Sequence, residues 1–213
     1  MTDCDRFGTG FQVGVNHSHF FSFRFDLDVD GTANTLALDK LVTDRLPSQN
    51  PRRSLWRVET AMAQNERDAM RPVTGHGPEI WRVVNPSVRG AYGDPVGYSI
   101  EADHPPTTLM IPEDYMQQRA GFTDNALWIT PYQPDELFAA GDYPTGSTAG
   151  DGLPKWTAKN RSIANTDLVA WVTIGMHHVP RPEDYPIMPA VWHSIVLKPT
   201  GFFRRNPAID LPK

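Results

Sequence analysis

The chain has 213 residues, 39% of them hydrophobic, with a formal net charge of −5 at pH 7. That length suits one large domain or two small ones. The mild acidity without a basic stripe argues against a nucleic-acid partner, and no apolar run nears the roughly 18 residues of a membrane-spanning helix. Twenty prolines and sixteen glycines favour short strands and many turns over long helices.

The first ten residues, MTDCDRFGTG, lack a basic start followed by an apolar core, so no signal peptide is expected there. Residues 1–11 are given no element. Cys4 is the one cysteine, which rules out an internal disulfide and a multi-thiolate metal site, so a transition metal has to be held by His and carboxylate. From His17 the odd positions read His17, His19, Phe21, Phe23, Phe25, Leu27 and Val29, and the even ones Ser18, Phe20, Ser22, Arg24, Asp26, Asp28 and Asp30. Only Phe20 breaks the alternation. A half-buried strand closed by Asp30-Gly31 is predicted, with both histidines on the core side. Further strands are predicted over 55–62, 80–84, 96–102, 107–111, 126–130, 167–179 and 191–198. The 167–179 segment, DLVAWVTIGMHHV, is apolar on both faces, as a strand between two layers would be. Short helical turns are predicted at 63–70 and 112–120. Pro- and Gly-rich loops fill 141–154 and 179–189. Together these give an all-β chain: an antiparallel β-sandwich with long loops, read as a single domain over 1–213.

Residues two apart on a strand share a face, with Cβ atoms roughly 7 Å apart. His17 and His19 therefore suit convergence on one ion at about 2 Å, or are two ordinary hydrogen-bonded histidines. His178 ends the buried 167–179 strand on the face of Leu168, Ala170, Val172, Ile174 and Met176. It is either a third ligand or a single core histidine satisfied by one partner, because an unpaired buried imidazole is costly. His177 points the other way, and His76, His104 and His193 sit in less patterned settings and are read as structural. Asp26, Asp28, Asp30 and Gly31 imitate the start of an EF-hand loop, but Ala37 stands where the bidentate Glu belongs and a strand precedes the run. Two readings of these carboxylates stay open: a solvated strand face, or a hard-cation site completed by Asp167 at the head of 167–179.

No GxSxG, Walker loop, HExxH or GxGxxG occurs. Phe23 and Arg24 occupy the positions where a cupin HxH motif continues with Glu, which counts against a cupin barrel. The stretch HSHFFSFRFDLDVDG (17–31) instead resembles the HxH and DxD strand of the copper-containing, topaquinone-dependent primary-amine oxidases. The likeness continues in family order through NPSVRGAYGDPVGYSI (85–100), ALWITPY (126–132), DYPTGSTAGDGLPKW (142–156), NTDLVAWVTIGMHHVPRPEDYPIMP (165–189) and LKPTGFFRRNPAIDLP (197–212). The last two stretches are the most specific.

This resemblance implies that His17, His19 and His178 are the copper(II) ligands. It implies a second, calcium-like site from Asp26, Asp28 and Asp167 with the backbone carbonyls of Leu168 and Leu27. It further implies oxidative deamination of a primary amine by dioxygen, giving aldehyde, ammonia and hydrogen peroxide, in a homodimer. The family's quinone arises from a tyrosine in an Asn-Tyr-Asp/Glu setting, and its catalytic base is an aspartate further upstream; both precede the HxH. Tyr92, Tyr98, Tyr115, Tyr132, Tyr143 and Tyr185 are the tyrosines here, and none follows an asparagine. The expectation is therefore the C-terminal part of a catalytic domain, inactive alone, with open sheet edges that drive association with a second copy or the missing half. A non-catalytic metal-binding sandwich or partner-chain subunit is the competing expectation.

Overall fold

The computed structural model describes residues 5–7, 12–75, 77–103, 105–143, 145 and 151–212; Cys4, His76 and His104 lie outside them. A small hairpin pairs β1 (Asp5–Phe7) with β2 (Gln12–Gly14). Two antiparallel sheets then make up the fold. The first is ordered β3 (His17–Asp26), β10 (Leu168–His178), β9 (Asn125–Pro131), β6 (Arg71–Pro72). The second is ordered β11 (Ile195–Thr200), β8 (Pro95–Ala102), β7 (Glu79–Arg89), β4 (Thr35–Arg45), β5 (Ser54–Met62). Short helices α1 (Glu66–Ala69), α2 (Tyr115–Arg119) and α3 (Leu153–Thr157) sit in the connections. The β-sandwich class read from the sequence is the observed one.

The main core forms between the sheets. Leu168, Ala170, Val172 and Ile174 of β10 meet Leu36, Leu38, Trp81 and Val83 of the second sheet. The opposite face of β10 buries Val169 and Trp171 against Trp128 and Leu153. Burial on both faces over 168–175 is why that part of β10 reads as nearly continuous apolar sequence. At one end of α1 the buried Glu66, with Glu136, is clamped by Arg161, whose guanidinium donates to both carboxylates at 2.6 to 3.0 Å.

Four expectations need correction. The segment 107–111 is not a strand; Leu109 is 78% and Ile111 65% exposed, and no strand among the described residues pairs with it. Residues 191–194 are also outside the ladder, which starts at Ile195. The alternating strand stops at Asp26 rather than running to Val29. Finally, the odd face of β3 is not uniformly buried: Phe25 and Leu27 pack on the core, but Phe21 and Phe23 are 49% and 43% exposed and His17 is exposed. The interior strand β4 carried no expectation. Its Asp39 makes the segment look polar, yet that carboxylate is buried in a bidentate pair with Arg82.

Candidate metal centre

Strand pairing brings the three histidines together. β10 runs antiparallel to β3 with His178 opposite His17 and Met176 opposite His19. Directly opposed residues point to the same face, so the two ends of a 161-residue separation meet at one sheet corner. The donor nitrogens of His17, His19 and His178 all lie within 4.8 Å of one another. Ring centroids are 4.7 Å apart for His17–His19, 4.8 Å for His17–His178 and 6.4 Å for His19–His178. His177, facing the other way, pairs its Nδ1 with the Ser18 hydroxyl at 2.7 Å.

Hydrogen bonds at the outer nitrogens fix which inner nitrogens carry lone pairs. His17 Nδ1 is 2.6 Å from the Val15 carbonyl, so it donates there and leaves Nε2 to face the other histidines. His178 Nε2 is 2.9 Å from Asp184 Oδ2, so it donates there and leaves Nδ1 free. Those two free nitrogens face each other at 3.3 Å. Two lone pairs so placed repel unless a proton or a cation lies between them. Two nitrogens about 2 Å from one ion and about 110° apart would be separated by roughly 3.3 Å. His19 Nε2 is buried and without a hydrogen-bond partner among the described residues, which is the cost an incoming ion removes. This donor set fits a copper(II) ion, and imidazole ligation suits zinc as well.

Asp184 was missed by sequence reasoning. It lies six residues past His178 in the PRPEDYP loop, and an acidic residue in a proline-rich return after a candidate ligand was the available signal. The hydrogen bond from His178, then that from the Arg181 backbone N–H, hold its carboxyl below the ordinary carboxylate value. Carboxylate-backed histidines of this kind are set in orientation and made better ligands. A cavity of about 410 Å³ opens beside the histidines, lined by His19, His178, Phe21, Met176, Met188 and His193 among others. His193, read as structural, has Nδ1 3.8 Å from Asp103 Oδ2.

At the other end of the same strand pair, carboxylate oxygens of Asp26, Asp28 and Asp167 also lie within 4.8 Å of one another. Burial, then the charges of Asp26 and Asp28, push the Asp167 carboxyl up, and its Oδ1 is buried without a partner. An unpaired buried oxygen among three like charges fits a hard cation. Asp30 does not join them; it takes a left-handed turn (φ 50°), and its carbonyl accepts from Asn85. Ala37 is fully buried within β4, so no EF-hand loop forms.

The copper amine oxidase, enzyme domain family model matches residues 9–213. The chain is 43% identical over 199 residues to the peroxisomal copper-containing amine oxidase alpha 2 of Arabidopsis thaliana, covering 92% of this chain and 29% of that protein. It is 41% identical over 198 residues to the primary amine oxidase of Lens culinaris, covering 92% and 30%. Its fold superposes on a copper-containing benzylamine oxidase from Hansenula polymorpha with a TM-score of 0.85 at 30% identity, covering 94% of this chain and 32% of that one. The chain thus spans under a third of the length of these relatives.

Proposed function

The chain belongs to the copper amine oxidase family, and from that premise we propose that His17, His19 and His178 hold copper(II) and that these residues form the metal-holding part of a primary-amine oxidase. One observation carries the reading: ring nitrogens of His17 and His178 face each other at 3.3 Å beside a buried His19 nitrogen that has no hydrogen-bond partner among the described residues. When bound, copper(II) supplies a redox-active Lewis acid, and the family's topaquinone supplies the electron sink for a primary amine in its oxidation by dioxygen.

This chain's residues do the holding. The Val15 carbonyl and Asp184 fix opposite tautomers on His17 and His178, so that both lone pairs turn inward. The Gly175 backbone lets β10 approach β3 closely enough to set Met176 against His19 and His178 against His17. The residues present do not fit the quinone. Tyr185 lines a cavity with His17 and His178, but it follows Asp184 rather than Asn. Amine oxidation is therefore assigned to an assembly that adds a quinone-bearing segment to these 213 residues. Asp26, Asp28 and Asp167, with the Leu27 and Leu168 carbonyls, are proposed to hold a calcium-like cation. The residues 1–213 are proposed to act as one domain that associates, as a homodimer or with that further segment.

Copper analysis after dialysis of the purified chain, and of its His17→Ala, His19→Ala and His178→Ala variants, tests the assignment. About one copper per chain, lost in each variant, is expected; equal retention by all four overturns it. Amine-dependent peroxide release from the copper-loaded chain above that of free copper would overturn the inactivity of the isolated chain. A monodisperse monomer with a cooperative melt would contradict association.

A further inference from the structure

Arg24 stands two residues before Asp26 on β3, on the same face, opposite Trp171 in the ladder. Its guanidinium carbon lies 5.6 Å from the Tyr132 ring centre and 5.7 Å from that of Trp171. Aromatic faces position the group, while its contact with the carboxylates is a single long one, Nη1 to Asp26 Oδ2 at 3.4 Å. Its Nε is buried and has no partner among the described residues. The arginine is therefore not a bidentate clamp on Asp26. It is a permanent positive charge parked by two rings at the edge of an acidic cluster.

The formal charges of the site follow. Asp26, Asp28 and Asp167 contribute −3 when ionised, and Arg24 reduces that to −2. A divalent cation brings this group to neutrality, and a trivalent one leaves it at +1. We propose that Arg24 determines the charge selectivity of the Asp26–Asp28–Asp167 site, holding it to divalent cations; this rests on reading that cluster as the second cation site. Replacing the guanidinium by a neutral group leaves −3, which a trivalent ion matches. One unit of charge about 6 Å away, in an effective dielectric of about 40 to 80, changes cation affinity roughly three- to tenfold per unit of cation charge. The trivalent-to-divalent preference changes by that factor, and divalent affinity itself by about tenfold or more.

Affinities of the copper-loaded chain for Ca²⁺ and Tb³⁺ test this, by calorimetry and by competition against terbium emission sensitised through the nearby Trp171. Arg24→Gln is expected to raise Ca²⁺ affinity about 10- to 100-fold and the Tb³⁺ preference roughly three- to tenfold. Arg24→Lys keeps the charge without the planar stacking surface and is expected to keep the parent preference. If the parent chain binds neither ion in a manner sensitive to Asp167→Asn, the second-site reading fails and the selectivity proposal with it. If the parent binds but Arg24→Gln leaves the preference unchanged, or Arg24→Lys shifts it as far as Gln does, the site stands and the role of Arg24 is overturned. Should the Gln variant not fold, Arg24→Met, which removes the charge and keeps an unbranched side chain between the rings, carries the test; an unchanged preference overturns the proposal.

Discussion

Gly175→Ala puts the geometry of the histidine corner under direct load. Gly175 sits on β10 opposite Phe20, next to the Met176–His19 pair. A Cβ there would fall well inside contact distance of the His19 carbonyl oxygen, 3.1 Å from its carbon and 3.2 Å from Phe20 Cα. These are backbone atoms, so no rotamer relieves the clash. Ordinary carbon contacts sit near 3.5 to 4.0 Å, so the strands must part by on the order of 1 Å at this point. The ladder is in continuous register from Asp26 to His17, which carries the displacement into the His19–Met176 and His17–His178 pairs. Metal–ligand distances tolerate only about 0.2 Å. Overpacking of this kind costs about 1–3 kcal/mol, a fall in Tm of a few degrees for a chain this size, while copper affinity should fall at least about tenfold. Calorimetry and a chelator-competition titration measure the two effects. Val172→Ala is the control: Val172 is fully buried opposite Phe23, so the variant loses comparable stability through a cavity without moving the histidines. Gly175→Ala with parental copper affinity would refute the claim that this close approach sets the site.

Asp184→Asn should weaken copper binding about 10- to 100-fold by removing the charged acceptor behind His178, with little change in the melting of the metal-free chain; a chelator titration paired with a melt checks both. Arg161→Ala leaves the buried Glu66 and Glu136 uncompensated and should destabilise the chain by about 3–5 kcal/mol, read as a Tm drop on the order of 10 °C. Burial pushes the Asp39 carboxyl up, but hydrogen bonds from Arg82 and Thr60 and the Arg82 charge outweigh it and hold the group below its ordinary 3.8. A depressed folded-state value contributes stability that is fully present above the unfolded value and is lost as pH falls through the folded one. Acid melts of the parent should therefore lose stability below about pH 3.8, and Asp39→Asn should flatten that limb while lowering stability at neutral pH.

The parts legible in the sequence were those whose physics is local to one strand. Alternation from His17 located β3 and put His17 and His19 on one face; the two-sided apolar run located β10 and placed His178 on the face of Ala170 and Val172. The pairing that joins them was not local, because nothing in either segment states its register with the other. β4 stayed invisible because Asp39 is neutralised from β7, 43 residues away. The inward direction assigned to the whole odd face failed for Phe21 and Phe23, because strand alternation states which residues share a face and not how far the facing sheet extends over them. Asp184 was hidden because the carboxylate that accepts from His178 sits on a loop whose path the proline-rich sequence does not dictate.

X-ray absorption at the copper edge of the copper-loaded chain tests the central claim most directly. The account predicts three imidazole nitrogens at about 2.0 Å, with one imidazole's outer-shell scattering missing in each of His17→Ala, His19→Ala and His178→Ala. Copper with fewer than three imidazoles in the parent chain, or a spectrum indifferent to these three substitutions, would contradict it.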